Sequence, residues 1–162
     1  MSKISPCLWF VDDAEEAANF YVSLLPGSRI DHIARSPSDY PGGKQGSVLL
    51  VQFTLAGQTF QALNAGSKVD YTDALSLSLE CEDQAEVDRV WAKILESGGR
   101  EIQCGWIHDR WGVRWQIVPR AMIEMLNSSD SAAAKRAFEA MMDMMKLDVA
   151  TLKAAFAGKA AA

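Results

Sequence analysis

The stretch CGWIHDRWGVRWQIVP, residues 104–119, carries the reading of the fold in its second half. There Gly112-x-x-Trp115-Gln116-x-Val118 echoes an earlier segment, Gly57-x-x-Phe60-Gln61-x-Leu63. Upstream of each copy lies a second match. Val11-Asp12-Asp13 superposes on Cys81-Glu82-Asp83, Glu16 on Glu86, and the aromatic Tyr21 on Trp91. The two signals stand further apart in the first copy, which the longer loop at residues 36–47 (SPSDYPGGKQGS) accounts for. Chance rarely repeats a strand-cap-helix signal and a glycine-aromatic-glutamine signal in order, so the chain reads as two like modules.

In the first module, residues 4–11 are a short apolar run rich in β-formers. Residues 14–25 place Ala17, Ala18, Phe20, Tyr21, Leu24 and Leu25 near helical spacing. Asp12 or Asp13 suits the N-cap, Glu15 and Glu16 suit the positive end of the helix dipole, and Pro26-Gly27 stops the helix. A strand over 29–34 and a hairpin of 47–56 with 58–64, turning at Ala56-Gly57, complete it. The second module predicts a strand over 74–81 and a helix over 84–97, ended by Gly98-Gly99. Two more strands are expected around 100–104 and 112–118, separated by a turn near 108–111. A helix over 120–126 comes next, then a break at 127–131 (NSSDS). Phe138, Met141, Met142 and Met145 form an i, i+3, i+4, i+7 stripe expected to pack on the body or on a second subunit. Asp148 caps a last segment through Phe156, and the Ala-rich tail from Gly158 is expected to be mobile. The expected parts are a first module at 1–66, a second at 67–119 and a helical extension with tail at 120–162, within one structural domain.

The bulk properties narrow the function classes. The chain has 162 residues, 49% hydrophobic and 23% charged, as in ordinary globular proteins. A net charge of −5 leaves no basic footprint for nucleic acid. No apolar run approaches the roughly 20 residues that span a bilayer, and no secretory signal pattern opens the chain, so no membrane partner is expected. Cys7, Cys81 and Cys104 are odd in number and lack C-x-x-C spacing, which predicts reduced thiols in a cytoplasmic protein.

The segments Ser5-Pro6-Cys7-Leu8-Trp9-Phe10, Ala14-Glu15-Glu16-Ala17 with Phe20-Tyr21, and the whole of 104–119 resemble PhnB-like proteins. These are a branch of the vicinal oxygen chelate (glyoxalase/bleomycin resistance) superfamily, many of whose members bear the name 3-demethylubiquinone-9 3-methyltransferase domain. The resemblance runs over about residues 4–156. It implies an α+β fold in which two βαβββ modules form a curved, mostly antiparallel sheet around a ligand cleft, usually in a homodimer. A methyl-donor site of the doubly wound kind needs a glycine-rich turn between a first strand and its helix, and Gly42-Gly43 lies in a loop instead.

In metal-dependent relatives, the resemblance implies, each module supplies one ligand from its first strand and one from its last, to an ion that polarises the substrate. The matched positions here are Pro6, Gln61, Ser76 and Gln116, without a carboxylate or imidazole among them, and neither His32 nor His108 is expected on a core strand. No metal or other cofactor is therefore expected. Strand alternation puts Leu75, Leu77, Leu79 and Cys81 on one face against Ser76, Ser78 and Glu80, and Val113, Trp115 and Ile117 against Arg114 and Gln116. The expected ligand-binding residues are Gln61, Ser76, Ser78, Arg114 and Gln116, with Arg114 as the anchor for an acidic or carbonyl-bearing molecule. Trp9, Trp91 and Trp115 are expected in the core, and Trp106 and Trp111 near a turn, where they rim the cleft or bury in a dimer contact. Cys104 is expected as a buried structural thiol with no histidine near it, a reactive thiol being the alternative. Asp109 is expected in a turn-stabilising pair with Arg110, with proton transfer by Asp109 or His108 as the alternative. The favoured function is metal-independent small-molecule binding. The alternatives are a metal-dependent enzyme acting on a small carbonyl or phosphonate-like compound through ligands such as Glu80, and a protein whose dimerisation through the methionine stripe is the functional point.

Overall fold

A computed structural model describes residues 3–159. The end of the tail, residues 160–162, lies outside the described residues. The chain divides into two compact units, Met1–Asp70 and Tyr71–Ala162. The first runs β1 (Cys7–Phe10), α1 (Ala14–Leu24), β2 (Arg29–Arg35), β3 (Val48–Leu55) and β4 (Gln58–Asn64). The second runs β5 (Leu77–Cys81), α2 (Gln84–Glu96), β6 (Arg100–Glu101), β7 (Trp106–His108) and β8 (Arg114–Pro119), then α3 (Arg120–Leu126), α4 (Ser131–Met142) and α5 (Val149–Phe156). Each unit holds a four-stranded mixed sheet, in the orders β1-β4-β3-β2 and β5-β8-β7-β6. In both sheets the first strand of the module runs parallel to its last, and the other pairs are antiparallel. This is the expected α+β fold of two βαβββ modules.

One face of each sheet is closed by its helix. In the first unit Tyr21 and Leu24 of α1 bury with Leu8, Phe10, Val51, Phe53, Phe60 and Ala62, the Phe53 and Phe60 rings stacking at 5.4 Å between centroids. In the second, Val87, Trp91 and Ile94 of α2 bury with Cys81, Ile107, Trp115 and Ile117. Trp91 and Trp115 are core as expected, but Trp9 is not. It is 39% exposed on the strand face opposite Leu8 and Phe10, and its indole donates to the Ser67 carbonyl at 2.8 Å. Leu75 is 71% exposed, because β5 and its alternation begin only at Leu77.

The helix ends follow two different chemistries. Asp83 caps α2 by accepting from the Glu86 amide at 2.9 Å, while the Glu86 carboxylate reaches back to the Glu82 amide. Gly98, at φ 99, ends that helix with the Gly98 and Gly99 amides donating to the Leu95 and Ile94 carbonyls, a Schellman closure. At α1, Asp13 makes no side-chain cap bond. The Ala14 amide donates instead to Oδ1 of Asn64, a buried residue on β4.

Two expectations about elements need correction. The strand expected over 100–104 is cut short at Glu101, because Cys104 and Gly105 turn the chain at φ 60 and 79 and their amides donate to the Met144 and Met145 carbonyls. The chain re-enters the sheet at Trp106–His108 as β7. The methionine stripe is not one helical face either. The α4 helix ends at Met142, and its buried residues are Ala133 and Ala137. Met141 and Met144 pack on the cluster of Met122, Met125, Ala137, Leu147 and Leu152, while Phe138, Met142 and Met145 are exposed.

Candidate functional site

Cross-strand register decides which side chains share a face. In the second unit, Arg100 pairs with His108, and His108 with Arg114, forming one row across β6, β7 and β8. The next row pairs Trp106 with Gln116 and Gln116 with Ser78. These residues lie opposite Ile107, Trp115 and Ile117, so they occupy the face that α2 does not cover. Of the expected site residues, this brings together Ser76, Ser78, Arg114 and Gln116. The Gln116 amide donates to Ser76 Oγ at 2.7 Å. Gln61 belongs to the other unit, on the corresponding face of its sheet, in a row with Gln52 and Cys7.

Beside Gln116 opens a pocket of about 460 Å³, lined by Asp73, Arg100, Ile102, Gln103, Cys104, Trp106, His108 and Arg114. Its polar end is a charge cluster. Arg114 Nε donates to Asp73 Oδ1 at 2.8 Å and Nη1 donates to the Gly112 carbonyl at 2.6 Å. His108 Nε2 stands 3.6 Å from the same Asp73 oxygen, and Arg100 Nη2 lies 3.3 Å from His108 Nδ1. A guanidinium can only donate, so Nδ1 accepts and the proton of the neutral ring sits on Nε2, toward Asp73. Burial, then the charges of Arg114 and Arg100, push the His108 pKa below its ordinary value against the opposing pull of Asp73. The result is a neutral imidazole between two permanent cations.

Sequence reasoning found Arg114, set Trp106 at the cleft rim as one of two readings and weighed His108 only for proton transfer; it missed Arg100 and Asp73. His108 is only 8% exposed and lies on a strand, contrary to expectation. The signal was present as the alternation Trp106-Ile107-His108 before the turn at Asp109. Asp109 itself is buried and accepts from the Trp111 and Val113 amides and from the Trp115 indole, so it fastens the β7–β8 turn. Arg110 stacks over Trp111, 4.2 Å from the ring centroid. Cys104 is half-buried on the pocket wall, its Sγ 3.7 Å from the Met142 sulfur, and His108 lines the same pocket. The Cys81 thiol, fully buried, is pushed up to about 12 by desolvation first and Glu86 second, which removes it as a nucleophile.

Pro6 and Ser76, expected at the first-strand metal positions, both precede their strands, and each meets its glutamine: the Gln61 backbone amide donates to the Pro6 carbonyl at 2.9 Å and the Gln116 side-chain amide donates to Ser76 Oγ at 2.7 Å. The helices align Tyr21 with Trp91 and Leu24 with Ile94, but strand burial aligns Leu8 with Leu79 and Phe10 with Cys81. The first module has Val11-Asp12 between strand and cap where the second has Glu82 alone, so the first-strand residues in register with Gln61 and Gln116 are Cys7 and Ser78. Partial desolvation raises the Cys7 thiol, which keeps it protonated near neutrality. An amide with a protonated thiol in the first unit, and an amide with two hydroxyls in the second, are each a poor donor set for a divalent ion, and among the described residues no three His, Cys, Asp or Glu side chains gather as metal ligands. Glu80 is taken up by Arg120, whose Nε donates to it at 2.7 Å.

The sequence matches the family described as 3-demethylubiquinone-9 3-methyltransferase over residues 2–118. The chain belongs to this family. The PhnB protein of Bacillus cereus, a solved structure bearing the same methyltransferase name, is 35% identical with a TM-score of 0.65, over 73% of this chain and 99% of that one. Protein PA1353 of Pseudomonas aeruginosa, 21% identical, has a TM-score of 0.60 over 74% and 98%. The fosfomycin resistance protein FosX of Listeria monocytogenes shares the fold at 12% identity, with a TM-score of 0.51 over 74% and 93%. No curated protein matches the chain. The family match ends at residue 118, so helices α3 to α5 lie beyond it and the likeness expected through Phe156 is not carried by it.

Proposed function

We propose that this 3-demethylubiquinone-9 3-methyltransferase family member binds a small organic molecule without a metal, on the open face of its second module. The observation that supports this reading most is the row Arg100-His108-Arg114 at the end of a pocket whose other wall is Ile102, Trp106 and Cys104. A pocket of this size with a mostly apolar lining and a few convergent polar groups is the usual form of a small-molecule site. Ser76, Ser78 and Gln116 add neutral hydrogen-bonding groups beside it, and Gln61 is the corresponding residue of the first module. The family name implies methyl transfer, yet the segment between β1 and α1 is Val11-Asp12-Asp13, with no glycine to cradle a methyl donor.

Calorimetric titration of EDTA-treated protein with small carboxylates, phosphonates and neutral amides tests the reading. Binding that Arg114→Gln weakens tenfold or more supports it; saturable binding only of Ni²⁺, Co²⁺, Mn²⁺ or Zn²⁺, lost in Gln116→Ala, contradicts it in favour of a metal-dependent enzyme. The same reading takes the protein as a cytoplasmic homodimer. Three cysteines outside any disulfide support the first part, and exposed Phe138, Met142 and Met145 support the second. Gel filtration of Phe138→Glu checks the pairing: a monomer is expected, and an unchanged dimer removes this surface from the contact.

A further inference from the structure

We propose that Asp73 is a built-in stand-in for the ligand, its carboxylate occupying the seat that the oxyanion of a small organic acid takes when it binds. This rests on the reading of the second-module face as a ligand pocket. Asp73 Oδ1 is where the donors converge: Arg114 Nε at 2.8 Å and His108 Nε2 at 3.6 Å. The exposures are unequal. The side chains of Arg114 and His108 are 17% and 10% exposed, whereas that of Asp73 is 72% exposed. The cations and the imidazole belong to the sheet floor, and the carboxylate reaches them from solvent. Asp73 sits in a turn between β4 and β5, not on a strand or helix. It can leave without breaking a ladder bond.

The charges favour exchange for an incoming anion. With His108 neutral, two guanidiniums face a single carboxylate, so an anion that replaces Asp73 finds the same donors and a local positive excess, although the whole chain carries −5. The groups facing the seat are Arg100 from β6, His108 from β7, Arg114 from β8 and Asp73 from the connecting turn. Ile102 and Trp106 flank it, so the class of ligand is an alkyl or aryl oxyanion, a carboxylate or a phosphonate, rather than a bare inorganic ion. The pocket in its resting form is self-occupied, and apparent affinity is reduced by the fraction of time the seat is free.

Titration of the full-length protein with benzoate, phenylphosphonate and neutral benzamide, followed by calorimetry, tests this. If the seat is free about one time in ten, Asp73→Ala tightens benzoate or phenylphosphonate about tenfold, while benzamide is unmoved. Whichever of the two anions gains more identifies the oxyanion. Asp73→Asn, which keeps the shape of the side chain, gains in the same direction. A strut that merely holds Arg114 in place predicts the opposite: benzoate affinity unchanged or weakened in Asp73→Ala overturns the proposal, while the pocket reading survives if wild-type protein binds any of the three. No binding of any probe by wild type or either variant overturns both.

Discussion

His108 shows how far one side chain can report on its surroundings. The ring is neutral because burial and two flanking guanidiniums outweigh Asp73, so its folded pKa lies below the ordinary 6.5. As pH falls, the unfolded chain takes up that proton first. The stability the neutral ring contributes is complete above about 6.5 and is lost progressively as pH drops through the folded value. Urea unfolding at pH 7.5 and 5.5 should show a loss at the lower pH that shrinks in His108→Gln; an equal loss in the variant contradicts the assignment. Asn64 is a second case. Its amide bridges the Ala14 amide and the Val48 carbonyl at 2.9 Å each, so Asn64→Ala should cost about 1–3 kcal/mol in urea unfolding. At this scale the shared face of Arg114, Gln116 and Ser78 was legible, since period-two alternation places them without tertiary knowledge, whereas Ser76 precedes β5 and joins them through its bond with Gln116. The pairing of Arg100 with His108 was not, although Trp106-Ile107-His108 alternates. The chain between β6 and β7 turns where Cys104 adopts positive φ, and the carbonyls that receive its amide and that of Gly105 come from Met144 and Met145, some forty residues on.

Elements with local causes read well, and those with distant causes did not. The α2 helix has its cap, its reciprocal Glu86 and its glycine stop within its own sequence, and residues 84–96 form it as the pattern predicts. The β3–β4 hairpin turns at Ala56 and Gly57 with φ 46 and 87, the geometry of a two-residue turn that prefers asparagine before glycine. Ala56→Asn should therefore raise stability by up to about 1 kcal/mol, measured as the urea midpoint. In the extension beyond Pro119, α3 over 120–126 and the Asp148 cap of α5 follow their local signals, and only the methionine stripe was misjudged, because helical spacing was carried past Met142, where Asp143 caps the helix. Its packing centre is Leu147, 1% exposed and set against Gly105, where an added Cβ would meet Leu147 Cγ at 3.0 Å. Leu147→Ala should cost about 2–5 kcal/mol in urea unfolding. The Cys104 and Gly105 amides should also exchange faster in that variant, because their acceptors at Met144 and Met145 flank the cavity.

For the whole molecule, the repeat carried the architecture and left the chemistry uneven. The two modules share helix, register and turn glycine, yet the row Arg29-Thr54-Thr59 of the first corresponds to Arg100-His108-Arg114 of the second. Arg29 is answered by Asp31, which also accepts from Thr54, so the pocket chemistry is concentrated in one module. No comparison of sequence halves shows this before β7 is placed. The direct test is the thermal midpoint of EDTA-treated protein against a panel of small organic acids and a series of divalent ions. Binding to the native state alone stabilises by about 2.7 kcal/mol at a hundredfold excess over Kd. At least one carboxylate or phosphonate is expected to raise the midpoint of wild-type protein and not that of Arg114→Gln. A midpoint raised only by divalent ions, and insensitive to Arg114→Gln, would contradict metal-free binding on the second module.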